Sequence, residues 1–308
     1  MENLTFVLSN STNETLIPSY KASCAELGFT EKVSGGVFYG TVSVFGSIGN
    51  FLVILVICRT PGLRNIYGIQ IANLAVADFI ASSTGISLFN YAITQSSFYN
   101  FHLAPLSIHI GAAIFHMSID ASLIALACLS FDRFFAVYYP LKHKFFMTFR
   151  KLKVMIVVVW LVSVTIIVLL FSRRSIWHAK FLYVESSIHK LCVVVIIGSG
   201  IAAIVKVFKS SSSVLDINQS HNGGQNSVLH QRNKQVAKTV CFVVLLFAFC
   251  WTPSVLARLK NPLLDSASLS SLDFWLTALR FANSAMNPCI YFYRHRNYRE
   301  ALKRTLGC

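Results

Sequence analysis

Long apolar runs separated by short polar segments dominate the chain. A helix rises about 1.5 Å per residue, so roughly 20 mostly apolar residues cross the hydrocarbon core of a membrane. Seven runs approach that length, and the fifth is the weakest because its apolar centre covers only residues 191–205. The predicted spanning segments are residues 35–58, 66–93, 105–138, 152–172, 181–207, 235–259 and 271–293. The pattern predicts an all-α membrane protein, a seven-transmembrane helix bundle.

Composition excludes the soluble alternatives. Of the 308 residues, 55% are apolar and only 13% are charged, whereas ordinary globular domains carry about 25% charged residues. Only helices and closed barrels satisfy their backbone polar groups in lipid. Barrel strands would alternate apolar and polar residues every second position, and these runs are unbroken instead.

The charged residues predict an orientation. Most of the 27 basic residues lie within residues 59–64, 133–153, 206–238 and 294–304, which are alternate connections and the carboxyl end. Basic loops stay in the cytoplasm, so we expect a plasma-membrane protein with its amino terminus outside and its carboxyl terminus inside. The basic residues are spread between apolar runs, so nucleic-acid binding is not expected.

The predicted organisation has three parts. Residues 1–34 form an extracellular leader, residues 35–293 the seven-transmembrane domain, and residues 294–308 a short amphipathic eighth helix and cytoplasmic tail. The leader carries three acceptor sequences for N-glycosylation, at Asn3, Asn10 and Asn13. Its cysteine, Cys24, is either free or bonded to Cys192. A serine run at 210–213 and an Asn-Gly-Gly stretch at 222–224 predict a flexible loop between the fifth and sixth segments.

The amphipathic stretch after residue 294 predicts contact with membrane lipid. Its basic residues suit anionic headgroups, and Tyr298, Leu302 and Leu306 would face the lipid. Cys308 follows this stretch, and it is either a palmitoylation site or an unmodified thiol.

Several polar side chains interrupt the apolar runs. An ionised group at the bilayer centre costs about 2.5–3.5 kcal/mol on insertion scales, so such groups usually face a functional interior. The candidates are Asn50, Asp78, Asp120, Ser122, Asn283 and Asn287. Their oxygens could hold a sodium ion, or they could form a structural hydrogen-bond cluster without one. The residues alone favour the second interpretation.

Asp120 is the most unusual of these residues. It lies thirteen residues before Arg133, about 20 Å along the helix. His116 lies one turn earlier, so the two side chains could pair on one face. Either Asp120 anchors a donor or cationic group of a ligand, or the His–Asp pair satisfies itself. The histidines at 109 and 116 lie two turns apart, too far to chelate one zinc ion together.

The ordered motifs identify a family. They are Asn50 within Gly-Asn-Phe-Leu-Val, Asp78 ending Asn-Leu-Ala-Val-Ala-Asp, Asp132-Arg133-Phe134 with Pro140-Leu141, Trp160, Cys250-Trp251-Thr252-Pro253, and Asn287-Pro288-Cys289-Ile290-Tyr291. One motif per helix, in this order, resembles the rhodopsin-like G-protein-coupled receptors from about residue 37 to 306. The resemblance implies a receptor that transmits binding of an extracellular small-molecule, lipid or peptide ligand to heterotrimeric G proteins by outward movement of the sixth helix, with arrestin as a further partner.

The resemblance also implies roles for individual residues. It favours sodium, as an allosteric ligand, at a cluster formed by Asp78, Ser122, Asn283 and Asn287. The expected activation switch consists of Asp132, Arg133, Phe247, Trp251, Pro253, Asn287, Pro288 and Tyr291. The expected G-protein contacts are Arg133, Ala136, Val137 and Leu141. The expected ligand pocket contains Phe115, His116, Ile119, Asp120, Trp251 and Phe281.

Departures from the family pattern narrow the range of expected ligands. Phe115 stands in place of the amine-binding aspartate, and Phe281 stands in place of the retinal-linking lysine, so a standard monoamine receptor or an opsin is not expected. Ile108 replaces a usual cysteine, and the fifth segment lacks its usual proline. In these two absences the chain resembles the melanocortin, cannabinoid and lysophospholipid receptors. Asn233 replaces an acid that usually locks Arg133, which predicts a looser resting state.

Two other classes of protein fit less well. A transporter or channel would need lining charge or paired broken helices, and the apolar runs contain little charge beyond Asp78 and Asp120. An enzyme would need a catalytic motif, and the sequence has no HExxH, P-loop or nucleophile motif.

Overall fold

The computed structural model describes residues 28–94, 106–171, 175–217, 242, 244–257, 259 and 271–307. Within these residues the backbone is almost entirely helical, with a short 3-10 turn at Pro61–Leu63 and no strand. The α-helices are α1 (Phe29–Arg59), α2 (Ile66–Thr94), α3 (Leu106–Tyr138), α4 (Pro140–Phe146), α5 (Phe149–Phe171), α6 (Ser175–Ile217), α7 (Val244–Ala257), α8 (Ser271–Arg294) and α9 (Arg296–Leu306).

The spanning helices match the apolar runs. Among the described residues, five helices are long and apolar enough to cross a membrane, and α7 forms a shorter apolar helix within the predicted sixth segment. Helix α8 coincides with the predicted seventh segment, 271–293. The fourth and fifth predicted segments correspond to α5 and α6.

Helix α3 lies at the centre of the bundle. It packs against α2, α5, α6 and α8, while α1 packs against α2 and α8. Large apolar side chains on the outer surfaces of the helices are exposed, among them Phe45, Val168, Val194 and Phe249. Apolar surface of this extent suits lipid rather than water.

Three boundaries differ from the prediction. Helix α1 begins at Phe29, inside the segment assigned to the leader. Helix α6 extends over 43 residues, from Ser175 to Ile217, so a flexible loop at 210–213 is wrong. No proline or glycine interrupts residues 201–217, and a serine run costs a helix only a few tenths of a kcal/mol per residue. The Asn-Gly-Gly stretch lies outside the described residues.

The short helix α4 was not predicted. Pro140 occupies its first turn, where the missing N–H costs nothing because helical N–H groups there have no intrahelical partner. Helix α4 packs against α3 and brings His143 to the carboxyl end of that helix.

Candidate functional site

Asp78 of α2 is fully buried, and both of its carboxylate oxygens accept hydrogen bonds. The Ser122 hydroxyl of α3 donates to Oδ1 at 2.6 Å, and Asn287 Nδ2 of α8 donates to Oδ2 at 2.7 Å. The side chain of Ser284 also faces the carboxylate. The predicted cluster is therefore brought together from three helices that are distant in sequence.

Asn50 extends the same network to α1. Its Nδ2 donates to the backbone carbonyl oxygens of Gly46 at 2.9 Å and of Ser284 at 3.0 Å, while its Oδ1 is buried without a hydrogen-bond partner. Asn283 is buried on α8, but no hydrogen bond joins it to Asp78. The neighbouring Ser284, which sequence reasoning missed, takes that place.

A second buried carboxylate lies on α3. Asp120 Oδ1 lies 2.8 Å from Nε2 of His189 on α6, and both residues are at least nine-tenths buried. The second oxygen, Asp120 Oδ2, is buried without a hydrogen-bond partner. Glu185, one turn before His189, is also buried, with its Oε1 4.0 Å from His189 Nε2.

The alternative in which Asp120 pairs with His116 is wrong, because Asp120 lies against His189 instead. His116 is exposed, and its ring contacts the edge of Phe115 instead. The i,i+4 spacing permits a contact within one helix, but the bundle supplies a partner on the inner face of α3, where His116 does not point. The sequence signal for His189 was a titratable side chain within the fifth predicted segment, 181–207.

The Asp120–His189 pair lies against Trp251 of α7. The His189 and Trp251 rings meet edge to face, with centroids 5.6 Å apart, and Trp251 stacks on Phe247 at 5.8 Å. Trp251 is buried, and its Nε1 has no hydrogen-bond partner. Pro253, two residues later, has no N–H, so the backbone ladder of α7 is interrupted there.

The other predicted pocket residues form an aromatic cluster. The Phe281 ring of α8 lies 5.5 Å from Phe115 of α3 and stacks on Tyr39 of α1 at 5.4 Å. A Cβ at Gly85 of α2 would lie 2.7 Å from the Phe281 ring, so glycine permits this close approach. Ile119 is buried beside the same core.

Arg133 has two partners at the inner end of α3. It forms an ion pair with the neighbouring Asp132, and its guanidinium lies 4.4 Å from the ring centroid of Tyr67 on α2. His143 Nε2 of α4 lies 2.8 Å from the other oxygen of Asp132. Asp132 is buried, while the Arg133 side chain is 27% exposed. Sequence reasoning found the Asp132–Arg133 pair but missed Tyr67 and His143.

The remaining switch and contact residues also cluster at the inner end. Pro288 lies inside α8, and Tyr291 is buried at a centroid distance of 6.3 Å from Tyr298 of α9. Ala136 and Val137 are partly exposed, and Leu141 is 78% exposed. These positions leave an exposed surface beside Arg133.

Helix α9 is oriented by its aromatic face. Tyr298 is buried against the bundle, so the prediction that it faces lipid is wrong; Leu306 is exposed as expected. Burial raises the pKa of Tyr298, with a further contribution from Tyr67. Burial, followed by the charge of Arg294, lowers the pKa of His295 at the junction of α8 and α9.

Several predicted sites lie outside the described residues. They are the glycosylation acceptors Asn3, Asn10 and Asn13, together with Cys24, Asn233 and Cys308. Cys192 is a buried free thiol on α6, which contradicts a disulfide between Cys24 and Cys192.

Comparison with known proteins matches this architecture. Residues 49–291 match the family "7 transmembrane receptor (rhodopsin family)". The allatostatin-A receptor of Bombyx mori is 26% identical, covering 88% of this chain and 79% of that receptor. The human neuropeptides B/W receptor type 2 is 27% identical, with 88% and 85% covered. The crystal structure of squid rhodopsin has a TM-score of 0.73 and 19% identity, with 92% and 87% covered.

The chain therefore belongs to the rhodopsin family of seven-transmembrane receptors. It is a multi-pass membrane protein and a G-protein-coupled receptor, not an enzyme. The seven-helix bundle and the short helix at its carboxyl end are confirmed. The human relative is a neuropeptide receptor by name, and similarity to the melanocortin, cannabinoid and lysophospholipid group stays a prediction.

Proposed function

We propose that this receptor responds to an extracellular ligand whose cationic or N–H donor group binds Asp120 within the bundle. The observation that carries the proposal is the His189 ring, which contacts the Asp120 carboxylate on one side and Trp251 on the other. Because Asp120 Oδ2 is buried without a partner, it favours a ligand that supplies a donor. One relative is named as a receptor for neuropeptides, and peptides carry N–H donors.

The contact with Trp251 connects ligand binding to helix movement. A ligand that draws Asp120 away from His189 changes the edge-to-face contact, and Trp251 transfers the change to Phe247 below it. The interrupted backbone at Pro253 allows α7 to bend there. The ligand thereby shifts a two-state equilibrium towards the state in which the inner end of α7 moves outward.

At the inner end, the proposed output is release of Arg133. In the described arrangement Asp132 and Tyr67 hold this side chain. When α7 moves away, Arg133 becomes available to a G protein together with the surface at Ala136, Val137 and Leu141. Arrestin would bind the same cytoplasmic surface after activation. The replacement of a locking acid by Asn233 supports a looser resting state and therefore measurable basal signalling.

Sodium is the proposed allosteric ligand of the Asp78 network. The donor set fits a hard cation, because Asp78, Ser122 and the unpartnered Asn50 Oδ1 supply oxygen atoms within one buried network. Sodium would supply positive charge beside the Asp78 carboxylate. The side chains of Ser122 and Asn287 hold that carboxylate in position between α2, α3 and α8.

The proposed topology places the amino terminus outside the plasma membrane. In that orientation Asn3, Asn10 and Asn13 reach the glycosylation machinery, and Cys308 lies beside the inner leaflet after the basic stretch. Glycosidase treatment should change the electrophoretic mobility of the wild type, and loss of that change in the triple Asn→Gln variant would support the orientation. Acyl-exchange labelling would test Cys308.

A nucleotide-exchange assay with reconstituted receptor and a promiscuous G protein tests the ligand site. An agonist from a small-molecule and peptide library should lose at least about tenfold potency on Asp120→Asn, which corresponds to about 1.4 kcal/mol. Unchanged potency and expression would contradict the role of Asp120 as an anchor.

The same assay without ligand tests basal signalling and sodium. Nucleotide exchange by the wild type should exceed that of Arg133→Ala. Replacing potassium by sodium should lower basal exchange in the wild type but not in Asp78→Asn.

A further inference from the structure

Three side chains with metal-binding atoms meet between α3 and α6. They are Asp120, Glu185 and His189, and their ligand atoms all lie within 4.8 Å of one another. Within the described part of the chain, no other group of three or more histidine, cysteine, aspartate or glutamate side chains comes as close together. All three are buried, so water competes poorly for these ligand atoms.

Asp120 has a ligand oxygen that its contact with His189 leaves unused. His189 Nε2 lies 2.8 Å from Asp120 Oδ1, while Asp120 Oδ2 has no hydrogen-bond partner although the residue is only 3% exposed. A buried carboxylate oxygen without a partner is costly unless something else binds it. A cation beside this oxygen removes that cost.

The spacing suits a small divalent ion. Ligand bonds of about 2.1 Å at tetrahedral angles place ligand atoms about 3.4 Å apart. The observed separations from His189 Nε2, 2.8 Å to Asp120 and 4.0 Å to Glu185, lie on either side of that value. One imidazole nitrogen and two carboxylates are ligands that zinc accepts, with a fourth position open to water or to a ligand atom.

We propose that Asp120, Glu185 and His189 bind a divalent transition-metal ion, Zn²⁺ being the ion that this set of ligand atoms favours. Binding needs neutral His189 and ionised carboxylates, so any protons on them leave for solvent when the ion enters. The ion joins α3 to α6 and holds His189 against Trp251. The effect of the ion on signalling rests on the proposed function, but its binding does not.

The described structure predicts whether zinc raises or lowers signalling, because the three ligand atoms already lie close together in it. In that arrangement Arg133 is paired with Asp132. An ion that binds one arrangement more tightly shifts the population towards it. Zinc should therefore stabilise the receptor and lower basal nucleotide exchange.

The binding test uses the full-length receptor, without a histidine tag, in phosphatidylcholine nanodiscs. We expect the melting temperature to rise with ZnCl₂ concentration, to return on addition of EDTA, and to be unaffected by MgCl₂. His189→Gln and Glu185→Gln should each weaken zinc binding at least about tenfold, since loss of even an outer-shell partner costs about 10–100-fold. His109→Gln, a histidine elsewhere on α3, is the matched control and should retain the wild-type response.

Elemental analysis keeps the proposal testable if a variant does not fold. The wild type should hold one zinc per receptor after dialysis against micromolar ZnCl₂. Any folded variant at Asp120, Glu185 or His189 should hold less. A melting temperature independent of zinc in the wild type overturns the proposal. So does an equal response in His189→Gln, or a shift that protons produce between pH 7.5 and 6 but zinc does not.

The signalling test separates this inference from the proposed function. Zinc should lower basal exchange in the wild type and in His109→Gln but not in His189→Gln. If zinc binds with one ion per receptor but leaves exchange unchanged, the metal site stands and the link through Trp251 falls. If zinc does not bind while Asp120→Asn weakens an agonist, the metal site falls and the ligand anchor stands.

Discussion

Asp78 and Asp120 are two buried aspartates in one bundle, and their surroundings are opposite. Both oxygens of Asp78 accept hydrogen bonds, from Ser122 and Asn287. Asp120 has one partner, His189, and one oxygen without any. The first carboxylate is satisfied by side chains from two other helices, and the second retains capacity for something outside the protein.

The difference indicates two kinds of buried charge. The Asp78 network, which continues to Asn50 of α1, connects four helices. The Asp120 pair connects two helices and touches the ring of Trp251. A network in which every carboxylate oxygen has a partner stabilises one arrangement of helices, whereas the unpartnered oxygen of Asp120 is the basis of the proposed ligand site.

Removing the acceptor at Asp78 should have the largest effect on stability. Asp78→Ala leaves the buried donors of Ser122 and Asn287 without their acceptor, and an unmade buried hydrogen bond costs about 1–3 kcal/mol. We expect a loss of about 2 kcal/mol in the free energy of unfolding, measured in mixed detergent micelles. Asp120→Ala leaves a single group, His189, unpaired and should cost about half as much; an equal or larger cost would contradict the comparison.

A double-mutant cycle should show which histidine pairs with Asp120. The coupling energy between Asp120→Ala and His189→Ala should be about 1 kcal/mol, since the two side chains share a buried hydrogen bond. The matched cycle with His116→Ala should give a coupling below about 0.5 kcal/mol. A larger coupling energy with His116 than with His189 would show that Asp120 pairs within its own helix.

The partners of Asp132 are partly exposed to water, Arg133 at 27% and His143 at 18%, and we expect a smaller effect on this group. His143→Ala removes the hydrogen bond that orients Asp132 towards Arg133, a loss of about 0.5–1 kcal/mol. Basal nucleotide exchange should rise about two- to fivefold, because the resting arrangement is less populated. Lys142→Ala removes a charge from the same short helix and should leave exchange at the wild-type rate. Reduced exchange in His143→Ala would show that His143 competes with Arg133 instead.

The smallest expected effect is the pH response of His295. Burial lowers the pKa of this histidine below its ordinary value of 6.5, so the unfolded chain binds the proton more readily than the folded one. Stability is then complete above pH 6.5 and falls as the pH drops towards the folded pKa. The melting temperature should fall slightly between pH 7.5 and 5.5, and His295→Gln should remove that part of the change. A fall of the same size in the variant would assign it to other groups.

The positions of the helices could be predicted from the sequence more readily than the contacts between their side chains. Apolar runs located α2, α3 and α8 within a residue or two, because lipid requires a continuous helical ladder. The ends of α1 and α6 were missed, since polar residues beyond the membrane can continue a helix that has begun inside it. Asp78 and Asn287 were found through motifs, and Ser122 through the family resemblance that those motifs carry. His189, Tyr67 and His143 were missed because each forms its contact with another helix.

The sequence by itself determined that this chain crosses a membrane as a helix bundle and that it retains costly polar side chains inside it, because hydropathy and charge act locally along the chain. Only the tertiary structure decided which polar groups meet. Asp120 could reach His116 on its own helix, yet the rotation of α3 within the bundle directs it to His189. Packing sets that rotation, and no spacing within a single helix encodes it.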